Sequence, residues 1–150
     1  MNRKRIFIWG LPGSGKTTLG ETWARILNLP FADLDWRIER RHGPIPEIFA
    51  QYGHWEFRRR ERAELYRMVN DLRSGVMAVG GGTPCFFDNA DFMNAVGATV
   101  WLKVAPETAA KRIAGAKRPL FFGRDPVATM RRMLQEREIH YRKAHTILSL

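Results

Sequence analysis

An eight-residue stretch, Gly10-Leu11-Pro12-Gly13-Ser14-Gly15-Lys16-Thr17, restricts the possible folds more than any other part of this chain. It matches G-x-x-x-x-G-K-[ST] in full. A short apolar run of strand type, Ile6-Phe7-Ile8-Trp9, leads into it, and a helical pattern from Thr18 to about Leu27 leaves it. Glycines in that setting let backbone N–H groups turn inward at a helix N-terminus and form an anion-binding nest. Lys16 can then reach β- and γ-phosphates, and the Thr17 hydroxyl can meet Mg²⁺. A bare glycine-rich turn would not need a strand before it and a helix after it, so the stretch predicts a site for a nucleoside triphosphate.

The rest of the chain repeats the strand–helix alternation. Candidate strands occupy 6–9, 31–34, 76–79, 98–103 and 146–149, and helical patterns occupy about 17–27, 36–41, 46–51, 55–73, 88–95, 106–114 and 127–144. Strands separated by helices predict βαβ units and a parallel sheet covered on both faces. Ligands of such sheets bind at the carboxyl ends of the strands. Three chemically suggestive stretches fall there: the phosphate loop, Asp33-Leu34-Asp35 and Gly80-Gly81-Gly82.

Composition narrows the class further. With 150 residues and 45% hydrophobic content, the chain suits a single globular domain. No apolar run is long enough to span a membrane. The apolar stretch after the basic N-terminus ends at Gly10, too early for a secretory signal. Cys85 is the only cysteine, which rules out an intrachain disulfide and fits a reducing, cytoplasmic setting. A net charge of +10 favours anionic partners, from nucleic acid to small phosphates and carboxylates. The arginines are scattered, however, and no aromatic-interleaved RNA-binding pattern is present. His42, His54, His140 and His145 lack metal-ligand spacing and read as surface or packing residues.

Further candidates carry weaker signals. On a strand, Asp33 and Asp35 would share one face, and phosphoryl transfer needs a metal-binding acid and an acid that orients the nucleophile. The two could equally cap the following helix. Gly80, Gly81 and Gly82 would let backbone approach a ligand closely, or simply make a turn before Pro84. Arg58 lies among Trp55, Arg62, Leu65, Val69 and Leu72 at helical spacing, with Glu61 one turn on as a partner. Arg137 interrupts the row Val127, Met130, Leu134, Tyr141. Two inward arginines suit a carboxylate or phosphate, bound bidentately, unless their stems snorkel to the surface. The stretch Lys117-Arg118-Pro119-Leu120-Phe121-Phe122-Gly123, within about 113–125, reads as a hinged lid or as a loop docked on the core. Arg118 there could act as an arginine finger.

Taken together, these stretches resemble the shikimate kinase family over nearly the whole chain. The resemblance rests on GLPGSGKTT at 10–18, FADLDWRIE at 31–39, IPEIFAQYG at 45–53, FRRRE at 57–61, GGGTPCF at 80–86, RPL at 118–120 and REIHY at 137–141. It implies a three-layer α/β/α P-loop kinase fold, with a five-stranded parallel sheet, a lid and substrate-binding helices. It also implies ATP-dependent phosphorylation of the shikimate 3-hydroxyl, towards chorismate and aromatic amino acids, by a cytoplasmic monomer with no nucleic-acid or membrane partner. Carried over residue by residue, Gly13, Ser14, Gly15, Lys16, Thr17 and Thr18 would hold the ATP phosphates. Thr17 and Asp33 would support Mg²⁺, and Asp35 would bind the shikimate hydroxyls and orient or deprotonate the attacking oxygen. Arg58 and Arg137 would bind the carboxylate, Gly80, Gly81 and Gly82 would lie along the substrate, and Arg118 would stabilise the phosphoryl group.

The chain departs from the family at Gly53-His54, where Gly-Glu is usual, and is one residue short near Gly43-Pro44-Ile45. It also stops after the strand-type run at 146–150, where the family continues into a loop beside the adenine and a last helix, so weaker or less selective nucleotide binding, or a less stable fold, is expected. Related kinases of gluconate or nucleotides, and an inactive truncated nucleotide binder, are the rival readings.

Overall fold

The computed structural model describes residues 4–114 and 124–150. Five strands, β1 (Arg5–Trp9), β2 (Phe31–Asp33), β3 (Gly75–Ala78), β4 (Ala98–Lys103) and β5 (Thr146–Ser149), form one sheet in the order β2-β3-β1-β4-β5. Every pairing is parallel. Among the described residues six helices connect or follow them: α1 (Lys16–Leu27), α2 (Leu34–His42), α3 (Ile45–Asp71), α4 (Asn89–Val96), α5 (Pro106–Ala114) and α6 (Pro126–Tyr141). A short 3₁₀ turn, Thr83–Cys85, precedes α4. The α/β class, the strand count and the parallel order all match the reading of the sequence. Among the described residues no helix is long and apolar enough to cross a membrane.

β1 is central, and its residues Phe7, Ile8 and Trp9 are fully buried. A strand covered on both faces must be apolar at consecutive positions, which is why this run shows no alternation. On one face Phe7 and Trp9 join the larger core with Leu34, Ile38, Phe57, Leu65, Met68, Met77, Trp101 and Tyr141. On the other, Ile8 packs with Ala24, Val76 and Leu102 beneath α1. Burying each such large side chain stabilises the fold by about 1.5–3 kcal/mol.

The register brings the strand ends level. Asp33 pairs with Ala78, and Ala78 pairs with Ile8, so one row crosses β2, β3 and β1. Two residues beyond that row stand Asp35, Gly80 and Gly10. Stretches far apart in sequence therefore emerge side by side on one edge of the sheet.

α3 is two helical segments joined at Gly53, whose φ of 85° and ψ of 171° break the helical path. This is the boundary that the sequence places between 46–51 and 55–73. The buried face of the second segment differs from the expected stripe. Phe57, Arg58, Glu61, Glu64, Leu65, Met68 and Val69 are buried, while Trp55 is exposed. Carboxylates occupy two inward positions because arginines come in beside them, and an apolar count cannot register that.

Candidate functional site

The phosphate loop leaves β1 and turns back through Gly13 and Gly15, whose φ values of 77° and 96° favour glycine. A turn hydrogen bond from the Ser14 N–H to the Leu11 carbonyl (3.1 Å) tightens it. α1 then begins at Lys16 with no side-chain cap, leaving the first helical N–H groups facing the loop. Lys16 Nζ donates to the carbonyls of Gly10 (2.9 Å) and Leu11 (3.0 Å), which holds the ammonium over the loop. Thr18 is exposed on the first turn of α1, and its carbonyl accepts from Thr22.

Thr17 and Asp33 meet, as expected: Thr17 Oγ1 donates to Asp33 Oδ2 at 2.8 Å. An alcohol beside a buried carboxylate, next to a phosphate cradle, is a hard oxygen pair that fits Mg²⁺. Asp33 also accepts from the Trp36 N–H (3.2 Å) and so caps α2. The metal-side and capping roles are thus compatible in one residue. Placement of both aspartates along a strand is corrected, because β2 ends at Asp33 and Asp35 lies in the first turn of α2. With the helix starting at once, the chain curls and turns the Asp35 carboxylate towards β3.

Its position is fixed by the three glycines after β3. None of Gly80, Gly81 and Gly82 has the positive φ that would require glycine. What they supply is room. A Cβ on Gly80 would lie 3.1 Å from Asp35 Oδ1 and 3.3 Å from Glu61 Oε2. On Gly81 it would lie 2.8 Å from Arg137 Nη1 and 3.0 Å from Pro12 Cδ in the phosphate loop. On Gly82 it would strike the Arg58 guanidinium at 2.5 Å. Two carboxylates and two guanidiniums therefore surround a single stretch of bare backbone beside the phosphate loop.

Arg58 is 9% exposed. Its Nη1 donates to Glu61 Oε1 (2.9 Å), and its guanidinium stacks over Phe86 with 4.2 Å to the ring centroid. Glu61 is buried too, and its second oxygen accepts from Thr83 Oγ1 (2.9 Å). The Arg58 Nε is buried without a hydrogen-bond partner. A buried guanidinium with a donor to spare is suited to an anion. Arg137 is half-buried on α6, where the Tyr141 hydroxyl donates to the Gly81 carbonyl at 2.6 Å. The Trp9 indole N–H in turn donates to the Tyr141 carbonyl (3.0 Å), tying α6 to the end of β1.

Electrostatics here preserve protonation states. Burial raises the Tyr141 phenol far above its ordinary range, against the charge of Arg137, so it stays a neutral donor. Burial also pushes the Cys85 thiol up to about 11 despite Arg137 and Arg58 nearby, which leaves it unreactive. Further out, burial acts to raise the Glu64 carboxyl, but hydrogen bonds from Arg41, Arg37 and Arg67 outweigh it and hold it below the usual range.

Two residues of consequence have no sequence signal. Arg112 of α5 donates from Nη1 to the carbonyls of Ser14 (2.8 Å) and Gly13 (3.3 Å), placing a guanidinium against the phosphate loop. Nothing in the spacing around it separates it from the chain's other arginines. Glu64 reads as a surface charge yet is 1% exposed. Arg118 and the centre of the expected lid lie outside the described residues.

Comparison with known proteins gives a consistent result. The family model described as shikimate kinase matches residues 12–150. A protein named shikimate kinase from Bacteroides thetaiotaomicron is 44% identical over 137 residues, covering 89% of this chain and 78% of that protein. A crystal structure of shikimate kinase from the same organism superimposes with a TM-score of 0.92 at 41% identity, covering 97% of this chain and 86% of the other. Shikimate kinase from Acinetobacter baumannii, solved in complex with shikimate, gives a TM-score of 0.91 at 34% identity, covering 98% and 83%.

Proposed function

This chain belongs to the shikimate kinase family, and we propose that it moves the γ-phosphoryl group of ATP to the 3-hydroxyl of shikimate by dividing the work among the residues described above. The observation that carries this division is the ring of Asp35, Arg137 and Arg58 around Gly80, Gly81 and Gly82, with Gly81 against Pro12 of the phosphate loop. Acceptor groups and donor cradle are thereby adjacent.

Arg58 and Arg137 bind the shikimate carboxylate, which fixes one end of the ring. Asp35 accepts hydrogen bonds from the hydroxyls at the other end. It orients the 3-oxygen and takes its proton as the new O–P bond forms and ADP leaves. The loop backbone over 13–18 and the Lys16 ammonium hold the phosphates, and Arg118 neutralises charge on the transferring group. Thr17 and Asp33 would hold Mg²⁺, which would supply positive charge to offset that of the triphosphate. Catalysis of this kind is positioning plus charge stabilisation, with little covalent work for the protein. The reaction is confined to one domain, works as a monomer and takes place in the cytoplasm.

The test is shikimate-dependent ADP release by the purified chain with Mg²⁺, run beside gluconate and nucleoside monophosphates. Asp35→Asn should lower kcat by roughly 10²–10⁴, the usual worth of a general base, while ATP binding persists. Comparable turnover of gluconate, or substantial activity in Asp35→Asn, overturns the assignment.

A further inference from the structure

The substrate-binding helices α2 and α3 meet at a buried charge cluster that touches none of the groups assigned above. Glu64 of α3 has a side chain only 2% exposed. Its Oε1 accepts from Arg37 Nε (3.1 Å), and its Oε2 accepts from Arg41 Nε (2.8 Å) and Arg67 Nη1 (3.3 Å). Arg37 also reaches Asp71 Oδ2 at 2.5 Å, seven residues further along α3. The two α2 arginines are one turn apart, so the carboxylate grips α2 at two heights.

We propose that Glu64 is a positioning residue for the acceptor half of the site, locking α2 to α3 so that Asp35 stands at a fixed place relative to Arg58. The proposal rests on the roles given to those two residues under Proposed function. Arg37 is two residues from Asp35 along α2, and Glu64 is six residues from Arg58 along α3. Away from this cluster the helices meet through exposed or weak polar contacts, the Ile45 N–H donating to Glu39 Oε2 (3.1 Å) and Arg60 Nη1 lying 3.5 Å from His42 Nδ1. They also meet through the apolar core that Leu34 and Ile38 share with Leu65, Met68 and Val69. Apolar contact is non-directional and leaves a short helix free to turn or slide. Charge-assisted hydrogen bonds are directional and remove that freedom. Stability alone gives no reason to bury this carboxylate, since buried ion pairs often do no better than well-packed apolar groups. Removing it leaves Arg37, Arg41 and Arg67 facing one another, which drives α2 away from α3 and carries Asp35 with it.

Glu64→Gln keeps the shape and removes the charge. The variant should fold, lower kcat and raise the KM for shikimate, with kcat/KM falling roughly tenfold to a hundredfold, the effect of an ångström-scale misplacement. The KM for ATP should stay at the wild-type value, because the phosphate loop is held separately. If Glu64→Gln does not fold, Arg41→Gln is read by the same criteria, since its side chain is half exposed at 49%. Wild-type kcat and shikimate KM in a folded variant overturn the proposal. So does an activity loss shared equally by both substrates and tracking the unfolded fraction, which would mark Glu64 as merely structural. The wild-type chain run alongside separates the two readings, because absence of its shikimate turnover would instead overturn the assigned function.

Discussion

Gly82→Ala tests the acceptor site with one methyl group. The new Cβ would lie 2.5 Å from both Arg58 Nη atoms and 2.7 Å from Cζ, whereas ordinary contact begins near 3.4 Å. The guanidinium must therefore retreat by about 0.9 Å. It has little freedom to do so, being bonded to Glu61 and stacked between Phe57 and Phe86. Gly82 has a φ of −97°, so alanine fits the backbone and the effect is confined to the collision. A charge-assisted hydrogen bond contributes about 1.5–3 kcal/mol. Losing that alignment to the carboxylate converts to a roughly tenfold to hundredfold weaker Kd for shikimate, at about 1.4 kcal/mol per tenfold. Calorimetric titration with shikimate and steady-state ADP release should show Kd and KM rising together, with the KM for ATP unchanged. A folded Gly82→Ala protein that binds shikimate as wild type refutes the placement of Arg58.

Arg137→Ala should weaken shikimate binding far more than ATP binding in the same titrations, and equal losses would make Arg137 structural. Asp33→Ala should remove the α2 cap at about 1 kcal/mol, read as a lower Tm, and should also raise the Mg²⁺ concentration needed for half-maximal rate. A lower Tm with unchanged Mg²⁺ dependence would leave only the cap. Acid should destabilise the fold in two steps. Burial and the Arg60 charge hold His42 below its ordinary 6.5, and the arginines hold Glu64 below its ordinary 4.5. In both cases the folded state binds fewer protons than the unfolded chain, so stability is complete above each ordinary value and falls as pH drops below it. The pH dependence of stability from denaturant titrations of wild type and His42→Gln should diverge as pH falls below 6.5; parallel curves would remove His42 from the account.

Elements whose signal is local are legible in the sequence. The apolar run at 6–9 and the glycines at 13 and 15 need only their own neighbours, and they fold as read. Arg58 and Arg137 stand out because a charge on an apolar stripe is anomalous in the residue pattern alone. What stays hidden depends on partners distant in the chain. Arg5, within a basic N-terminus, donates to the carbonyls of Leu72, Val69 and Val96, closing the ends of α3 and α4. Glu64 resembles any helical surface glutamate until α2 brings Arg37 and Arg41 to it. Asp35 reads as a strand residue because its alternation with Asp33 continues the strand pattern, whereas the turn from β2 into α2 takes place within Asp33 itself.

The elements that carry the candidate site are held in place by two different means. The end of β1, the backbone after β3 and α6 are joined by a buried hydrogen bond from the Trp9 indole to the Tyr141 carbonyl and a partly buried one from the Tyr141 hydroxyl to the Gly81 carbonyl. Such bonds leave little slack, so Arg137 keeps its place beside Gly81. Asp35 and Arg58 lie on α2 and α3, which meet in a charge cluster whose arginines reach the surface. Directional hydrogen bonds to the buried Glu64 carboxylate hold the two helices in register, which apolar contact alone would not do. Both devices serve the proposed division of work: Arg137 is fixed through the core, and Asp35 and Arg58 are fixed to each other through the seam between α2 and α3, so the acceptor alcohol meets one defined geometry.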